Sequence, residues 1–199
     1  MNDHFNQAVE NRRTIYAISK DSPVSKQDIH KIVEHAVKYV PYAFNSQSGR
    51  VVILLEEQHD KLWEIARETL RKIVPPENFG STDAKINSFK SGYGTLLFFE
   101  DQDVVKSLQE RFALYKDNFP IWSHQASGML QFVIWTALEE VGLGASLQHY
   151  NPLIDEQVKS EWKIPASWTL WAQMPFGKPM AGPDAKEFMP LSERVLLFD

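Results

Sequence analysis

The chain has 199 residues, of which 43% are hydrophobic and 24% charged, and its formal net charge is −5. This length suits one domain with a sizeable core, so we expect a single domain over residues 1–199. The acidic balance argues against nucleic acid as a partner. The sequence contains no cysteine, which excludes disulfides, thiolate catalysis and cysteine-bound metals.

The sequence shows no targeting or membrane segment. Residues 1–13 are polar and lack the apolar core of a signal peptide. The longest apolar stretch, 129–141, carries Gln131, Glu139 and Glu140, so it is too short and too charged to span a bilayer. We therefore expect a cytoplasmic protein without a membrane partner.

In the first half of the chain, helical periodicity marks residues 2–12, 25–40 and 62–73. Ser25 is predicted to cap the second of these helices, with Asp28 in the capping-box position, and Pro41 ends it. The aliphatic run 50–55 predicts a buried strand. Residues 77–91 have no clear period and are predicted to form a loop.

In the second half, strands are predicted at 95–99, 145–148, 168–174 and 194–198, and helices at 102–115, 123–141 and 152–162. Ser123 is predicted to cap the longest helix, and Gly142 and Gly144 suit its carboxyl end. Because strands and helices do not alternate strictly, the pattern indicates an α+β fold rather than a doubly wound sheet. The final strand follows a long loop, 177–190, which favours an arm that pairs with a second copy.

Two polar segments are candidate ligand sites. Arg12, Arg13 and Thr14 offer charge-assisted donors that suit a phosphate, although adjacent arginines are also common at solvated helix ends. Asn45 and Gln47 carry amides that suit sugar hydroxyls or a polar ring edge, but such residues equally form ordinary turns.

Three further segments each have a functional and a structural interpretation. Lys90 precedes two glycines and can meet an anion, or it simply lies in a connection before a strand. Phe119 and Trp122 are suited to stack on a flat ligand, or they belong to the core. His149 is more typical of a structural histidine than of a metal ligand, because the six histidines are scattered, and we expect no metal.

Taken together and in order, six segments resemble the FMN-dependent nitroreductase family, in particular the branch with the yeast fatty-acid-repression nitroreductases and their bacterial homologues. The segments are 11–16, 41–48, 92–101, 122–131, 142–152 and 175–179. The resemblance covers nearly the whole chain. It implies a nitroreductase-like α+β fold with a mainly antiparallel central sheet flanked by helices, in an intertwined homodimer with a swapped C-terminal strand.

The resemblance also implies roles for individual residues. It implies that the FMN phosphate and ribityl end are bound by Arg12, Arg13, Thr14 and Lys186. The flavin of the second subunit is bordered by Asn45 and Gln47, Lys90 meets the pyrimidine edge, and the backbone near the reactive nitrogen is that of Gln148, His149 and Tyr150. Beyond the resemblance, we expect Phe44, Phe119 and Trp122 to shape the substrate pocket, because aromatic side chains suit a flat ligand.

Two positions depart from the family pattern. Tyr16 and Phe188 stand where basic residues are common, and Lys178 is a candidate substitute for the missing charge. The implied activity is that of a flavoprotein oxidoreductase, which takes a hydride from NAD(P)H and reduces nitroaromatics or quinone-like electrophiles by a ping-pong mechanism. No catalytic side chain is expected, because the cofactor carries the chemistry. The alternative is an FMN-binding regulatory protein of redox or lipid metabolism with incidental turnover, and a third reading is a flavin-free structural dimer.

Overall fold

The computed structural model describes residues 3–198, and this part of the chain forms an α+β fold, as predicted. The helices are α1 (Asp3–Asn11), α2 (Lys26–Tyr39), α3 (Glu57–Arg71), α4 (Phe79–Lys90), α5 (Gln102–Arg111), α6 (Phe119–Glu140) and α7 (Asp155–Trp162). The strands are β1 (Ile18–Ser19), β2 (Gly49–Leu55), β3 (Gly94–Asp101), β4 (Gly144–Ala145) and β5 (Trp168–Pro179).

The strands form one sheet in the order β1-β5-β3-β2, and β4 also pairs with β5. All four strand pairings are antiparallel. Within the described residues, β2 has a neighbour on one side only, so its outer edge keeps unpaired backbone groups.

Helices cover both faces of this sheet, and β3 shows how. Leu96 and Phe98 pack into a core with α2 and α6, whereas Leu97 and Phe99 pack into a second core with α3, α4 and α7. All four side chains are at most 1% exposed. The continuous apolar run in the sequence is therefore explained by a strand that is buried on both sides.

The predicted start of α2 is confirmed. The Ser25 hydroxyl accepts from the Asp28 N–H at 3.2 Å, and the Asp28 carboxylate accepts from the Ser25 backbone at 3.3 Å. This reciprocal pair satisfies donors that the first helical turn would otherwise leave unpaired.

The prediction of a loop at 77–91 is wrong, because α4 occupies most of it. Gly80 and Ser81 in its first turn weaken the local helical signal. The helix is instead stabilised by tertiary packing, since Phe79, Ile86 and Phe89 are buried. The helix α4 bears on the candidate site, because it carries Lys85 and Lys90, which contact different neighbours.

Three boundaries in the second half also differ. The longest helix begins at Phe119 rather than at Ser123, whose hydroxyl donates to the Pro120 carbonyl at 2.9 Å inside the helix. Gly142 has the expected positive φ of 81°, whereas Gly144 lies in β4, which ends at Ala145. Residues 194–198 form no strand within the described chain, and their apolar side chains are exposed.

None of the helices among residues 3–198 combines the length and the apolar character needed to cross a membrane.

Candidate functional site

Three distant segments meet at one end of the sheet. The Ile15 N–H donates to the Ala145 carbonyl at 2.9 Å, which places Thr14 beside β4. Arg13 donates through Nη2 to the Asp184 carbonyl at 2.6 Å. The predicted basic cluster, β4 and the C-terminal arm are therefore brought together.

The cations of this cluster lack compensating carboxylates. Neither Arg12, Arg13 nor Lys186 forms an ion pair within residues 3–198. Burial lowers the pKa of Arg12, and the neighbouring charge of Arg13 lowers it further. A bound anion would relieve both effects, because it supplies the missing opposite charge.

Arg12 is also held in place by an aromatic ring. Its guanidinium carbon lies 4.5 Å from the ring centroid of Trp135 on α6, a cation–π distance. Its Nε is buried and has no hydrogen-bond partner in the described chain. Such a buried, unsatisfied donor is uncommon in native proteins and indicates a missing acceptor.

On the neighbouring side of the cluster, Tyr16 lies against a lysine that the sequence reasoning missed. Lys85 of α4 places its Nζ 3.9 Å from the Tyr16 ring centroid. Positive charge thus reaches the position where the family pattern has a basic residue in place of Tyr16. Lys85 escaped notice because its segment was predicted to be a loop.

Lys90, five residues further on, faces α3 instead. Its ammonium forms an ion pair with Glu64, and this hydrogen bond lowers the pKa of that carboxyl. The Lys90 carbonyl accepts from His59 Nε2 at 3.2 Å. The charge of Lys90 is therefore compensated, whereas Lys85 has no ion pair among residues 3–198.

The segment after β4 is fixed by one buried side chain. Gln148 exchanges two backbone hydrogen bonds with Gln173, at 2.7 and 2.9 Å. The Gln173 side chain accepts from the Tyr150 N–H at 2.7 Å and is 0% exposed. His149, between these anchored residues, is exposed. Gln173 was also missed, because one polar residue in an alternating strand carries no special signal.

The connection between α2 and β2 is strained. Phe44, Asn45 and Gln47 have φ values of 56°, 50° and 49°, a region that costs energy for residues other than glycine. Arg50 braces this connection, because its Nη1 donates to the Gln47 carbonyl at 2.6 Å while its Nη2 binds Asp101 at 3.0 Å. Strain of this kind is concentrated at functional sites.

The strained connection positions the Phe44 ring against a cluster of aromatic side chains. The Phe44 ring centroid lies 5.3 Å from that of Phe119 and 6.1 Å from that of Trp122, which is nearly parallel to it. Phe44 remains 50% exposed and lines a cavity of about 480 Å³ together with Trp122 and Met129. The structure thus brings together the three residues predicted for the substrate pocket.

The two halves of the predicted cofactor site do not meet within one chain. Phe44 contacts α6 at Trp122, whereas Arg12 contacts the same helix at Trp135. Because a helix rises about 1.5 Å per residue, these contacts are about 20 Å apart along α6. Asn45 and Gln47 belong to the first half, and the predicted basic cluster belongs to the second.

Among residues 3–198 there is no group of three or more His, Asp or Glu side chains suited to hold a metal ion.

Comparison with known proteins agrees with this fold. A sequence model of the nitroreductase family matches residues 9–178. FRM2, a nitroreductase of Saccharomyces cerevisiae, is 34% identical over 191 residues, which are 94% of this chain and 93% of the relative. The chain therefore belongs to the nitroreductase family, as the resemblance implied.

Solved structures support the same conclusion. Nitroreductase CinD from Lactococcus lactis, in complexes with chloramphenicol and with 4-nitrophenol, is 47% identical with a TM-score of 0.90, over 98% of this chain and 100% of CinD. A nitroreductase-type structure from Desulfovibrio desulfuricans in complex with FMN has a TM-score of 0.71 at 18% identity, over 98% of this chain and 96% of that chain. The nitroreductase-like fold predicted from the sequence is thereby confirmed.

Proposed function

We propose that this protein is an FMN-dependent oxidoreductase that takes a hydride from NAD(P)H and reduces nitroaromatic or quinone-like electrophiles by a ping-pong mechanism. One observation carries the proposal: Arg13, next to Arg12, binds the arm that bears Lys186, and none of these three cations has an ion pair within residues 3–198. Membership of the nitroreductase family supports an oxidoreductase, and the cation cluster supports a phosphate-bearing cofactor.

The residues present fit FMN. Its phosphate would bind Arg12, Arg13, Thr14 and Lys186, and the unpaired Nε of Arg12 supplies a donor that needs an acceptor. The backbone of Gln148, His149 and Tyr150, which Gln173 holds in place, would border the ring. Bound FMN supplies the hydride chemistry, and these side chains bind and orient it.

Lys85 is the stronger candidate for the cation at the pyrimidine edge. Lys90, the residue inferred from the sequence, has its charge compensated by Glu64, so little positive potential remains for a ligand. Lys85 has no such carboxylate and is held over Tyr16, beside the proposed phosphate residues. A cation at this edge favours negative charge on the reduced ring.

A homodimer would complete the site. The two halves are about 20 Å apart along α6 in one chain, so Asn45 and Gln47 of a second copy would have to supply the missing side. The exposed apolar side chains on α6 and the C-terminal segment favour such an assembly; they are Ile121, Met129, Phe132, Val133, Val195, Leu196, Leu197 and Phe198. The unpaired edge of β2 offers a place where the swapped C-terminal strand would pair.

Phe44, Phe119 and Trp122 would bind the electron acceptor. Flat rings stack well on aromatic side chains, which suits nitroaromatic and quinone substrates. The complexes of CinD with chloramphenicol and 4-nitrophenol support this substrate class. We propose a cytoplasmic location, as predicted from the sequence.

The test is an absorbance spectrum of the purified protein, followed by anaerobic NADH or NADPH and then 4-nitroquinoline N-oxide. We expect flavin bands that are bleached by the nicotinamide and restored by the nitro compound. Bleaching without recovery on any nitro or quinone acceptor would favour the regulatory alternative. A colourless protein that also fails to bind added FMN would overturn the proposal.

A further inference from the structure

One arginine side chain binds the end of the connection between α2 and β2. Arg50 Nη1 donates to the Gln47 carbonyl at 2.6 Å and to the Gly49 carbonyl at 3.0 Å. Its Nη2 donates to the Asp101 carboxylate at 3.0 Å. Because the guanidinium group is planar and carries five donors in a fixed fork, it holds two carbonyls and one carboxylate at once.

Asp101 connects the same arginine to two other parts of the fold. One of its carboxylate oxygens accepts from Arg50, whereas the other accepts from the Asp103 N–H at 3.2 Å and so caps α5. The Asp101 N–H donates to the Ser48 carbonyl at 3.0 Å. The Arg50 and Asp101 side chains are only 28% and 15% exposed, so water screens their attraction less than it would on an open surface.

These bonds fix a segment whose residues do not favour its conformation. Phe44 and Gln47 have φ angles of 56° and 49°, which cost energy for side chains of this size. The Asn45 N–H and the Ser48 carbonyl on either side form backbone hydrogen bonds of 2.9 and 3.0 Å. Arg50 supplies the bond at Gln47, between these two anchors. Strained conformations of this kind persist only where the surroundings determine them.

The conformation of this connection decides where the Phe44 ring lies. Phe44 is 50% exposed and forms one wall of the cavity of about 480 Å³ that Trp122 and Met129 also line. At positive φ its side chain leaves the backbone in a direction that brings the ring into this cavity. A connection that relaxed to negative φ would turn the ring away from Trp122.

We propose that Arg50 and Asp101 are positioning residues for acceptor reduction, which hold the 44–47 connection in its strained conformation and thereby keep Phe44 against the acceptor. This inference rests on the proposed function. Neither residue touches the acceptor or transfers a proton. Both act through Phe44, so their loss weakens the binding of flat aromatic acceptors and leaves the chemistry of the cofactor unchanged.

The main test compares Arg50→Ala with the wild-type holoenzyme in anaerobic stopped-flow experiments. Each protein is reduced with one equivalent of dithionite and then mixed with 4-nitroquinoline N-oxide or with ferricyanide. We expect the second-order rate constant for the nitro compound to fall about tenfold, because the acceptor loses a well-placed aromatic wall. The rate constant for ferricyanide should stay the same, because this inorganic ion does not stack on aromatic rings.

Arg71→Ala is the matched control. Arg71, at the end of α3, also pairs with a carboxylate, that of Glu68, and its guanidinium also lies over an aromatic ring, that of Phe79. The substitution removes the same charge from the protein, but far from the 44–47 connection in the chain. Both rate constants should therefore equal those of the wild type.

Asp101→Asn carries the test if Arg50→Ala does not fold. Asparagine caps helices as well as aspartate does, so α5 keeps its cap while the ion pair with Arg50 is lost. This variant should also be slower with the nitro compound alone. The double variant should be no slower than the slower single variant, because the two residues act as one unit.

Two further measurements report on the connection itself. Arg50 lines a cavity of about 590 Å³, so millimolar guanidinium chloride should reach the site and restore part of the lost rate of Arg50→Ala, whereas sodium chloride should not. Amide hydrogen exchange gives a readout that does not depend on turnover. In Arg50→Ala, exchange should become faster in peptides that cover residues 43–48 and stay the same in peptides from α7.

The outcomes separate the two proposals. If the wild type reduces nitro compounds and Arg50→Ala matches it in rate, the positioning role is wrong while the proposed function stands. Equal slowing with ferricyanide and with the nitro compound, or unchanged hydrogen exchange at residues 43–48, would also overturn the positioning role. If the wild type reduces no acceptor, the proposed function fails and the positioning role fails with it.

Discussion

His59 is the residue through which we expect mild acid to destabilise this fold. Its Nε2 lies 3.2 Å from the Lys90 carbonyl, which can only accept, so Nε2 carries the hydrogen. Nδ1 therefore accepts from the Thr95 hydroxyl at 2.8 Å, and the Thr95 oxygen accepts from Trp63 Nε1 at 3.0 Å. This chain of bonds holds neutral histidine and has no place for a second ring proton.

The size of the effect follows from the pKa of His59. Burial lowers it from 6.5 to about 4, and the side chain is only 1% exposed. Between these values the unfolded chain binds the proton and the folded chain does not, so stability falls as the pH falls below about 6.5. From pH 7.5 to pH 5 this single group removes about 2 kcal/mol of unfolding free energy, and at pH 4 about 3 kcal/mol.

Urea unfolding of the wild type and of His59→Gln at both pH values measures this directly. Glutamine can accept from Thr95 and donate to Lys90, but it does not titrate. We expect a variant that is slightly less stable at pH 7.5 and gains about 2 kcal/mol relative to the wild type at pH 5. Only the difference between the two proteins is informative, because Glu100, whose pKa is raised to about 7, acts in the opposite direction over part of this range.

A stability difference that is the same at both pH values would refute the reasoning. It would mean that His59 takes up its proton in the folded state without cost, and hence that the assigned tautomer and bonds are wrong.

Three further predictions concern the cofactor, the assembly and the core. Lys85→Met should weaken FMN binding about tenfold and lower the reduction potential of the bound flavin, both measured by titration, whereas Lys90→Met should change each much less. If the proposed dimer forms, Leu197→Asp should convert it to a monomer in light scattering, because it places a charge in the proposed interface. Gly49→Ala should cost about 3 kcal/mol in urea unfolding, since its Cβ would lie 2.0 Å from the Tyr42 hydroxyl.

Each of these has a control and a contrary result. Equal effects of the two lysine substitutions would remove the distinction between Lys85 and Lys90. Leu153→Asp, at another exposed apolar position, should leave the assembly unchanged, and a dimeric Leu197→Asp would argue against the swapped strand. Gly80→Ala is the control for Gly49, because its Cβ meets nothing within 4 Å, and it should be neutral or slightly stabilising.

Local chemistry and periodicity were enough to predict much of this protein from its sequence. The capping box at Ser25 depends on two residues three positions apart, and the apolar run of β3 reports burial on both faces. The order of the short motifs indicated the family, which the comparisons confirmed. The proposed phosphate role of Arg12 and Arg13 came from the resemblance to the family, because adjacent arginines alone are equally common at solvated helix ends.

Other features depend on contacts between residues far apart in the chain, and these only the tertiary structure decided. The helix α4 forms because Ile86 and Phe89 are buried against the sheet, although its own sequence is a poor helix signal. The position of α4 then places Lys85 against the Tyr16 ring and Lys90 against Glu64. In the sequence both residues are simply lysines, so it does not show which of them forms an ion pair. Burial likewise turns Glu100 from an ordinary acid into one with a pKa near neutrality, because removal from water disfavours its charge.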